Sequence, residues 1–299
     1  MRILITGGSG FLGSALTRQL QRDGAHVTWL SRRASTPAPE GVDVRDYSGL
    51  WADDRFDAVV NLAGAGIADR RWSPARKQVL RDSRLIPTHV ITGWIRAARS
   101  PPRVLLSGSA VGWYGAQGDA MLDEQSPACD GFQHRLCEEW EAAARVAEER
   151  VPVVYLRTGV VLHPAGGMLQ RLRLPFGLGL GARLGDGRQF LSWISREDWV
   201  RAVIALLRAH VDGGARAPAG PFNLTAPGPV DNAGFTRAMA DALGRRAVLA
   251  IPAPALRAGL GEMATLLIDG QRVLPARLQQ RGHVFAWPGL APYLASVLR

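Results

Sequence analysis

Three glycines carry the clearest chemistry in the chain. They stand at positions 7, 10 and 13 in GGSGFLG, between the apolar run RILIT (2–6) and a segment with Leu12, Ala15, Leu16 and Leu20 at helical spacing. A buried strand that passes into a helix through glycines points backbone N–H groups at an anion. Gly7 permits the tight turn, Gly10 lets a pyrophosphate approach the backbone, and Gly13 lets the helix pack closely on the strand. Phe11 and Leu12 fall between them and are expected in the same site. The spacing is G-x-x-G-x-x-G, so context carries the reading: strand before, helix after, Asp23-Gly24 ending the helix, and a second strand, HVTWL (26–30), on schedule.

Ser31-Arg32-Arg33 follows that second strand. An NAD site usually places an acid there to hold ribose hydroxyls, and an acid would repel a 2′-phosphate. A hydroxyl and two guanidiniums would bind the phosphate, so the expected cofactor is NADP(H). VDV (42–44) reads as a short strand whose Asp43 could meet an adenine edge, with Val44 beside it. AVVNLAG (58–64) is a buried strand, and Leu62, Ala63 and Gly64 at its end are expected to line the cofactor pocket.

The elements that must position these residues follow the same rhythm. VLLSGSAVGWYG (104–115) is a strand entering a polar, glycine-rich turn, and VPVVYLRTGVVL (151–162) is the next strand. Ser107, Arg157 and Gly159 lie on them at expected cofactor positions. Strands alternating with helices argue an α/β fold: a doubly wound, parallel Rossmann sheet. From about 163 the pattern loosens into a glycine-rich stretch with Arg171, Arg173, Arg183 and Arg188, which could hold an anionic group. Asp198 reads as a helix-start residue, Asn223 of PFNLTAP (221–227) as a pocket candidate, and 232–244 and 255–268 as helices. Phe285 and Trp287 alternate like a strand or a docking edge, with core packing the default. The expected division is a nucleotide-binding domain over 1–220, with substrate-covering insertions from about 163, and a small interleaved C-terminal region over 221–299.

Composition excludes several classes. Hydrophobic residues make up 47% of 299 and charged residues 21%, a globular balance. Two cysteines, Cys129 and Cys137, supply no disulfide framework and no zinc set, so no metal is expected. The chain opens on a strand rather than a signal-peptide pattern and has no long apolar run, which fits a cytoplasmic protein without a membrane span. The net charge of +10 comes from 35 arginines and a single lysine, Lys77, spread along the chain. That is a compositional bias, and a nucleic-acid partner is not expected.

GGSGFLG, NLAG, the serine after the fifth strand, LRTGVVL and WISREDWV resemble an extended short-chain dehydrogenase/reductase, the group of nucleotide-sugar epimerases and dehydratases. Residues 61–84, 107–115, 184–194 and 261–278 resemble an uncharacterised "epimerase family protein" subgroup with a small C-terminal domain of unknown function. The resemblance covers essentially the whole chain. It implies the Rossmann fold and a nicotinamide cofactor but supplies no substrate; a small-molecule substrate, anionic on the strength of the arginines after 163 or nucleotide-linked, and a homodimer are further expectations. It also implies a serine, a tyrosine acting as general acid/base, and a lysine four residues later that lowers the tyrosine pKa.

That pair is missing. Position 73, four residues before Lys77, is serine, so Tyr-x-x-x-Lys occurs nowhere in the chain. Aligning Glu141 with the family's helix glutamate puts Gln133 in the tyrosine place and Cys137 in the lysine place, within GFQHRLCEEWE (131–141), which reads as a solvated helix. Ser109 keeps the serine, and Tyr114 nearby is the candidate proton donor; His134 and Cys137 are weaker substitutes. The expected function is an NADP(H)-dependent oxidoreductase or epimerase-like enzyme. The alternative is a non-catalytic NADP(H)-binding sensor or scaffold.

Overall fold

A computed structural model describes residues 1–213 and 217–298. In chain order its strands are β1 (Arg2–Thr6), β2 (His26–Ser31), β3 (Val42–Asp46), β4 (Ala58–Asn61), β5 (Leu105–Ala110), β6 (Met121–Leu122), β7 (Val153–Thr158), β8 (Val160–His163), β9 (Ala182–Leu184), β10 (Phe190–Leu191), β11 (Trp193–Ser195) and β12 (Gly220–Leu224). The main helices are α1 (Gly13–Arg22), α2 (Pro74–Ala97), α3 (Phe132–Arg145), α4 (Gly167–Gly177), α5 (Arg196–Val211) and α6 (Asn232–Ala242).

Seven strands form one parallel sheet in the order β12-β7-β5-β4-β1-β2-β3. Strand order reverses between β1 and β4, and the carboxyl ends of such a pair open the crevice in which doubly wound folds bind ligands. Both faces of the sheet are covered, as its near-continuous apolar strands require. Leu16 and Leu20 of α1 pack with Trp199 and Val203 of α5 on one face. Ile91 and Ile95 of α2 pack with Ala144 of α3 on the other. A third core gathers α4, α6 and the last helix (Leu290–Leu298) around Trp193, Met239 and Tyr293.

Several elements differ from the sequence reading. The run 151–162 is two strands, not one. At Gly159 a Cβ would lie 2.5 Å from the Ser192 carbonyl oxygen, and beyond it β8 leaves the main sheet to pair with β11. The stretch after 163 is not merely loose: it contains α4. The helix expected over 255–268 is broken into Ala253–Leu260, a 3-10 turn and Thr265–Ile268, because Gly261 takes φ +61°, which a helix cannot continue through. The sheet's last strand, β12, extends to Leu224.

A buried carboxylate helps to fasten the C-terminal segment. Asp198 is fully buried and accepts the backbone N–H groups of Ala286 at 2.7 Å and Trp287 at 2.9 Å. The cap of α5 is Ser195, whose hydroxyl accepts the Asp198 N–H at 3.0 Å. Trp287 lies in no strand and packs edge-on to Tyr293.

Candidate active site and cofactor crevice

The glycine turn is shaped by close contact. Gly7 has φ +68°, and a Cβ there would lie 2.6 Å from the carbonyl oxygen of Leu62 at the end of β4. A Cβ at Gly13 would lie 2.2 Å from the Gly7 carbonyl oxygen, so the start of α1 rests directly on the turn. No side chain caps α1 at Leu12, and its first turn carries no acidic residue. No carboxylate competes for an anion at this helix start, although the Ser14 N–H already bonds the Gly10 carbonyl at 2.9 Å.

Beside this turn lies a cavity of about 440 Å³. Among the expected cofactor residues, Gly7, Gly10, Ser31, Arg32, Leu62, Ala63 and Gly64 line it. Sequence reasoning missed the rest of the wall. Tyr47 follows β3, and Asp82, Ser83, Ile86 and Pro87 come from α2. The Ser83 hydroxyl accepts the Ala65 N–H at 2.9 Å, which ties α2 to the end of β4.

Other expected cofactor residues lie elsewhere. Leu12 and Gly13 are the seat of α1 rather than cavity wall. Phe11 packs on Gly166, with the Arg196 guanidinium 5.2 Å from its ring centroid. Arg33 is exposed, its carbonyl accepting the Thr36 N–H and hydroxyl. Asp43 points to solvent, and Val44 packs against the sheet core. Gly159 is enclosed by Ser192. Ser107 is fully buried, and its hydroxyl has no hydrogen-bond partner.

A hydrogen-bonded chain fixes the floor of the crevice. The Thr6 hydroxyl donates to Asn61 Oδ1 at 2.6 Å, and Asn61 Nδ2 donates to the Thr88 hydroxyl at 2.8 Å. Trp140 Nε1 on α3 donates to the same hydroxyl at 3.2 Å. Two strands and two helices are thereby locked in one arrangement.

Ser109 and Tyr114 belong to a second buried network. The Ser109 hydroxyl donates to Glu141 Oε1 at 2.6 Å. Arg157 holds the same carboxylate at two points, Nε to Oε1 at 2.9 Å and Nη2 to Oε2 at 3.0 Å. Its guanidinium lies 3.5 Å from the Trp113 ring centroid, and Nη1 donates to the Tyr114 hydroxyl at 3.3 Å. Tyr114 is fully buried and donates to Asn223 Oδ1 at 2.7 Å. Burial pushes its phenol up to about 12, although Arg157 opposes the shift. Asn223 thus serves the network, and its own Nδ2 donates to the Leu274 carbonyl.

The places of the missing pair are filled differently. Gln133 Nε2 donates to the hydroxyl of Thr265 at 3.3 Å, so the C-terminal segment covers that end of α3. The helix is not a solvated one: Leu136, Cys137, Trp140 and Glu141 are buried. Burial, reinforced by the Glu141 charge, pushes the Cys137 thiol up to about 12. His134 Nδ1 meets the Trp113 carbonyl oxygen at 2.6 Å. Arg84 of α2 approaches from the side, with its guanidinium 5.1 Å from the Trp140 ring centroid.

The four arginines of the glycine-rich stretch do not form one site. Arg171 pairs with Asp69 at 2.7 Å, and Arg173, Arg183 and Arg188 are exposed. A wider groove of about 810 Å³ runs between α1 and α5, outside the sheet and away from the glycine turn.

A parallel sheet that reverses order beside an uncapped helix and a glycine turn defines a Rossmann nucleotide-binding protein. The chain matches the NAD dependent epimerase/dehydratase family over residues 3–224 and belongs to that family. Residues 251–297 match a domain of unknown function, DUF1731. The chain is 45% identical to "Epimerase family protein MT2273" of Mycobacterium tuberculosis, over 95% of this chain and 93% of that one. It is 36% identical to the human "Epimerase family protein SDR39U1" over the full length of both. The crystal structure of that human protein (isoform 2) with NADPH superposes with a TM-score of 0.90 at 35% identity, covering 100% of this chain and 99% of that one. A UDP-galactose 4-epimerase structure shares the fold with a TM-score of 0.75 at 18% identity.

Proposed function

We propose that the protein binds NADP(H) in the crevice between β1 and β4 and acts as an oxidoreductase on a small anionic or nucleotide-linked substrate. The observation that carries this reading is the cavity itself. One wall holds the glycine turn at Gly7, Ser9 and Gly10, and another holds Ser31 and Arg32. The residues fit the cofactor. Gly7 and Gly64 keep the backbone clear, the α1 N–H groups suit a pyrophosphate, and Ser31 with Arg32 suits a 2′-phosphate. The orphaned Ser107 hydroxyl is a buried donor with nothing else to bind. The NADPH held by the human relative supports the same choice.

NADPH supplies a hydride from its nicotinamide ring. The chain contributes binding and orientation, the part of hydride transfer that depends on near-attack geometry. It contributes no tyrosine–lysine relay. Tyr114 keeps its proton in a bond to Asn223, Ser109 is committed to Glu141, and Cys137 is a neutral, packed thiol. These three are structural, and the proton for a reduced carbonyl comes from solvent or from the substrate's own acid groups. General acid/base catalysis is worth about 10²–10⁴-fold, so turnover is slow.

The locked network also favours a second reading, a protein that binds NADP(H) without turning it over. Incubation of NADPH-loaded protein with aldehydes, ketones and nucleotide-linked keto sugars, followed by loss of NADPH absorbance, separates the two. Substrate-dependent oxidation supports the oxidoreductase. Binding without oxidation across the panel supports the second reading.

A further inference from the structure

The resemblance implies a lysine on α3, and aligning Glu141 puts Cys137 near its place. Arg84 brings a guanidinium to the same spot from another helix. It stands on α2, one turn before Thr88. Its Nη1 donates to the Leu80 carbonyl at 2.9 Å and its Nη2 to the Ala65 carbonyl at 3.2 Å. A Cβ at Gly64 would lie 3.3 Å from its Cζ, so the end of β4 rests against the guanidinium. Trp140, one turn beyond Cys137 on α3, offers its ring face at 5.1 Å. The Arg84 charge also bears on the Cys137 thiol, opposing the burial that keeps it neutral.

This cation has no counter-charge. Among the described residues no carboxylate lies within salt-bridge distance of Arg84, and the two acceptors it uses are neutral carbonyls. Glu141 is committed to Arg157, and the Cys137 thiol stays protonated. Burial lowers the Arg84 pKa from the ordinary guanidinium value, with Cys137 opposing the shift and Arg76 adding to it. Arg84 is half-buried, and its two neutral carbonyl acceptors take up hydrogen bonds without balancing its charge. Gly64, Ala65 and Ser83, which surround Arg84, all line the cofactor cavity.

We propose that Arg84 replaces the family's lysine, and that its guanidinium binds the nicotinamide-side ribose and phosphate of NADP(H). This rests on the cofactor reading above. It makes α2, rather than α3, the source of the fixed positive charge. It also separates two functions that the lysine combines elsewhere: the cation that grips the cofactor is retained, and the tyrosine it would activate is gone.

The test uses two ligands on the full chain, NADPH and adenosine 2′,5′-bisphosphate, which carries only the adenosine half. Affinities are measured by tryptophan quenching or calorimetry for the wild type, Arg84→Met and Arg84→Lys, alongside the melting temperature of each without ligand. A lost charge-assisted contact predicts that Arg84→Met weakens NADPH by about 10- to 100-fold. The bisphosphate affinity stays unchanged, and Arg84→Lys recovers part of the NADPH loss. Equal weakening of both ligands, or no change in either, overturns the proposal. If Arg84→Met does not fold, the ratio of the two affinities in Arg84→Lys decides: a loss confined to NADPH supports the contact, and a shared loss or none contradicts it. Wild-type protein that binds NADPH tightly while Arg84→Met binds it equally well removes only the role of Arg84. Wild-type protein that binds neither ligand removes the cofactor reading as well.

Discussion

Arg157 and Glu141 form a two-point ion pair inside the protein, with both side chains only 4% exposed. Ser109 and Tyr114 are its hydrogen-bond partners, at Glu141 Oε1 and at Arg157 Nη1. The pair therefore fixes the turn after β5 to α3 and β7. Removing one partner would strand the other charge in the interior. Glu141→Gln is expected to lower the free energy of unfolding by about 3–5 kcal/mol, measured by urea titration. NADPH affinity of the folded fraction should be unchanged, because neither residue lines the cavity. A stable variant with lost cofactor binding would place the pair in the cofactor site instead.

Cys137 and Cys129 should differ in reactivity. Cys129 is exposed, whereas Cys137 is buried with its thiol pushed up to about 12. Native protein at pH 8 is expected to take up thiol reagent at Cys129 alone, and denatured protein at both. The raised pKa also sets a pH dependence. The unfolded thiol ionises near its ordinary 9.0 while the folded one stays protonated to about 12. The unfolded state then binds fewer protons, so stability is full below the lower value and declines across this window. Cys137→Ser and Cys137→Ala should both flatten the decline, because neither side chain titrates in this window, with the serine variant less stable at every pH because its buried hydroxyl brings a desolvation cost.

Asp198 helps to fasten the C-terminal segment. Asp198→Ala leaves the Ala286 and Trp287 N–H groups without their acceptor. At about 1–3 kcal/mol for each stranded donor, the variant should unfold more readily and expose the segment to proteases. Limited proteolysis after residue 270 before global unfolding is the expected sign. Cleavage no faster than in the wild type would mean that the core around Tyr293 holds the segment alone.

Gly7 tests the shape of the crevice. Gly7→Ala must place a Cβ at φ +68° and 2.6 Å from the Leu62 carbonyl oxygen. The turn has to open, and NADPH affinity should fall below detection or the protein should fail to fold. Gly24→Ala has a similar φ, +77°, but open space around its Cβ. It should lose only a modest amount of stability, about 1–2 kcal/mol, and keep NADPH affinity.

The glycine turn and the sheet were legible because they are written in short, contiguous stretches. RILIT, GGSGFLG and HVTWL each state a local preference that the tertiary structure does not override. The wall of the cavity was half legible. Ser31, Arg32 and Gly64 follow strands, whereas Asp82, Ser83 and Ile86 come from a helix that crosses the crevice and carries no motif of its own. The fates of Tyr114 and Ser109 could not be read locally. Tyr114 is held by Asn223, 109 residues away, and Ser109 by Glu141, 32 residues away. A tyrosine in a glycine-rich turn looks available until its long-range partner is known. Asp43 lies exposed on β3, and the residue from this edge that lines the cavity is Tyr47.

The central claim is that Ser31 and Arg32 make the crevice a site for the 2′-phosphate. Its most direct test is the ratio of NADPH to NADH affinity in the wild type and in Arg32→Ala. A charge-assisted contact to the phosphate predicts NADPH tighter by about 10- to 100-fold, a preference that collapses in Arg32→Ala while NADH affinity stays the same. Equal affinities in the wild type, or a preference that survives the loss of Arg32, would contradict the account.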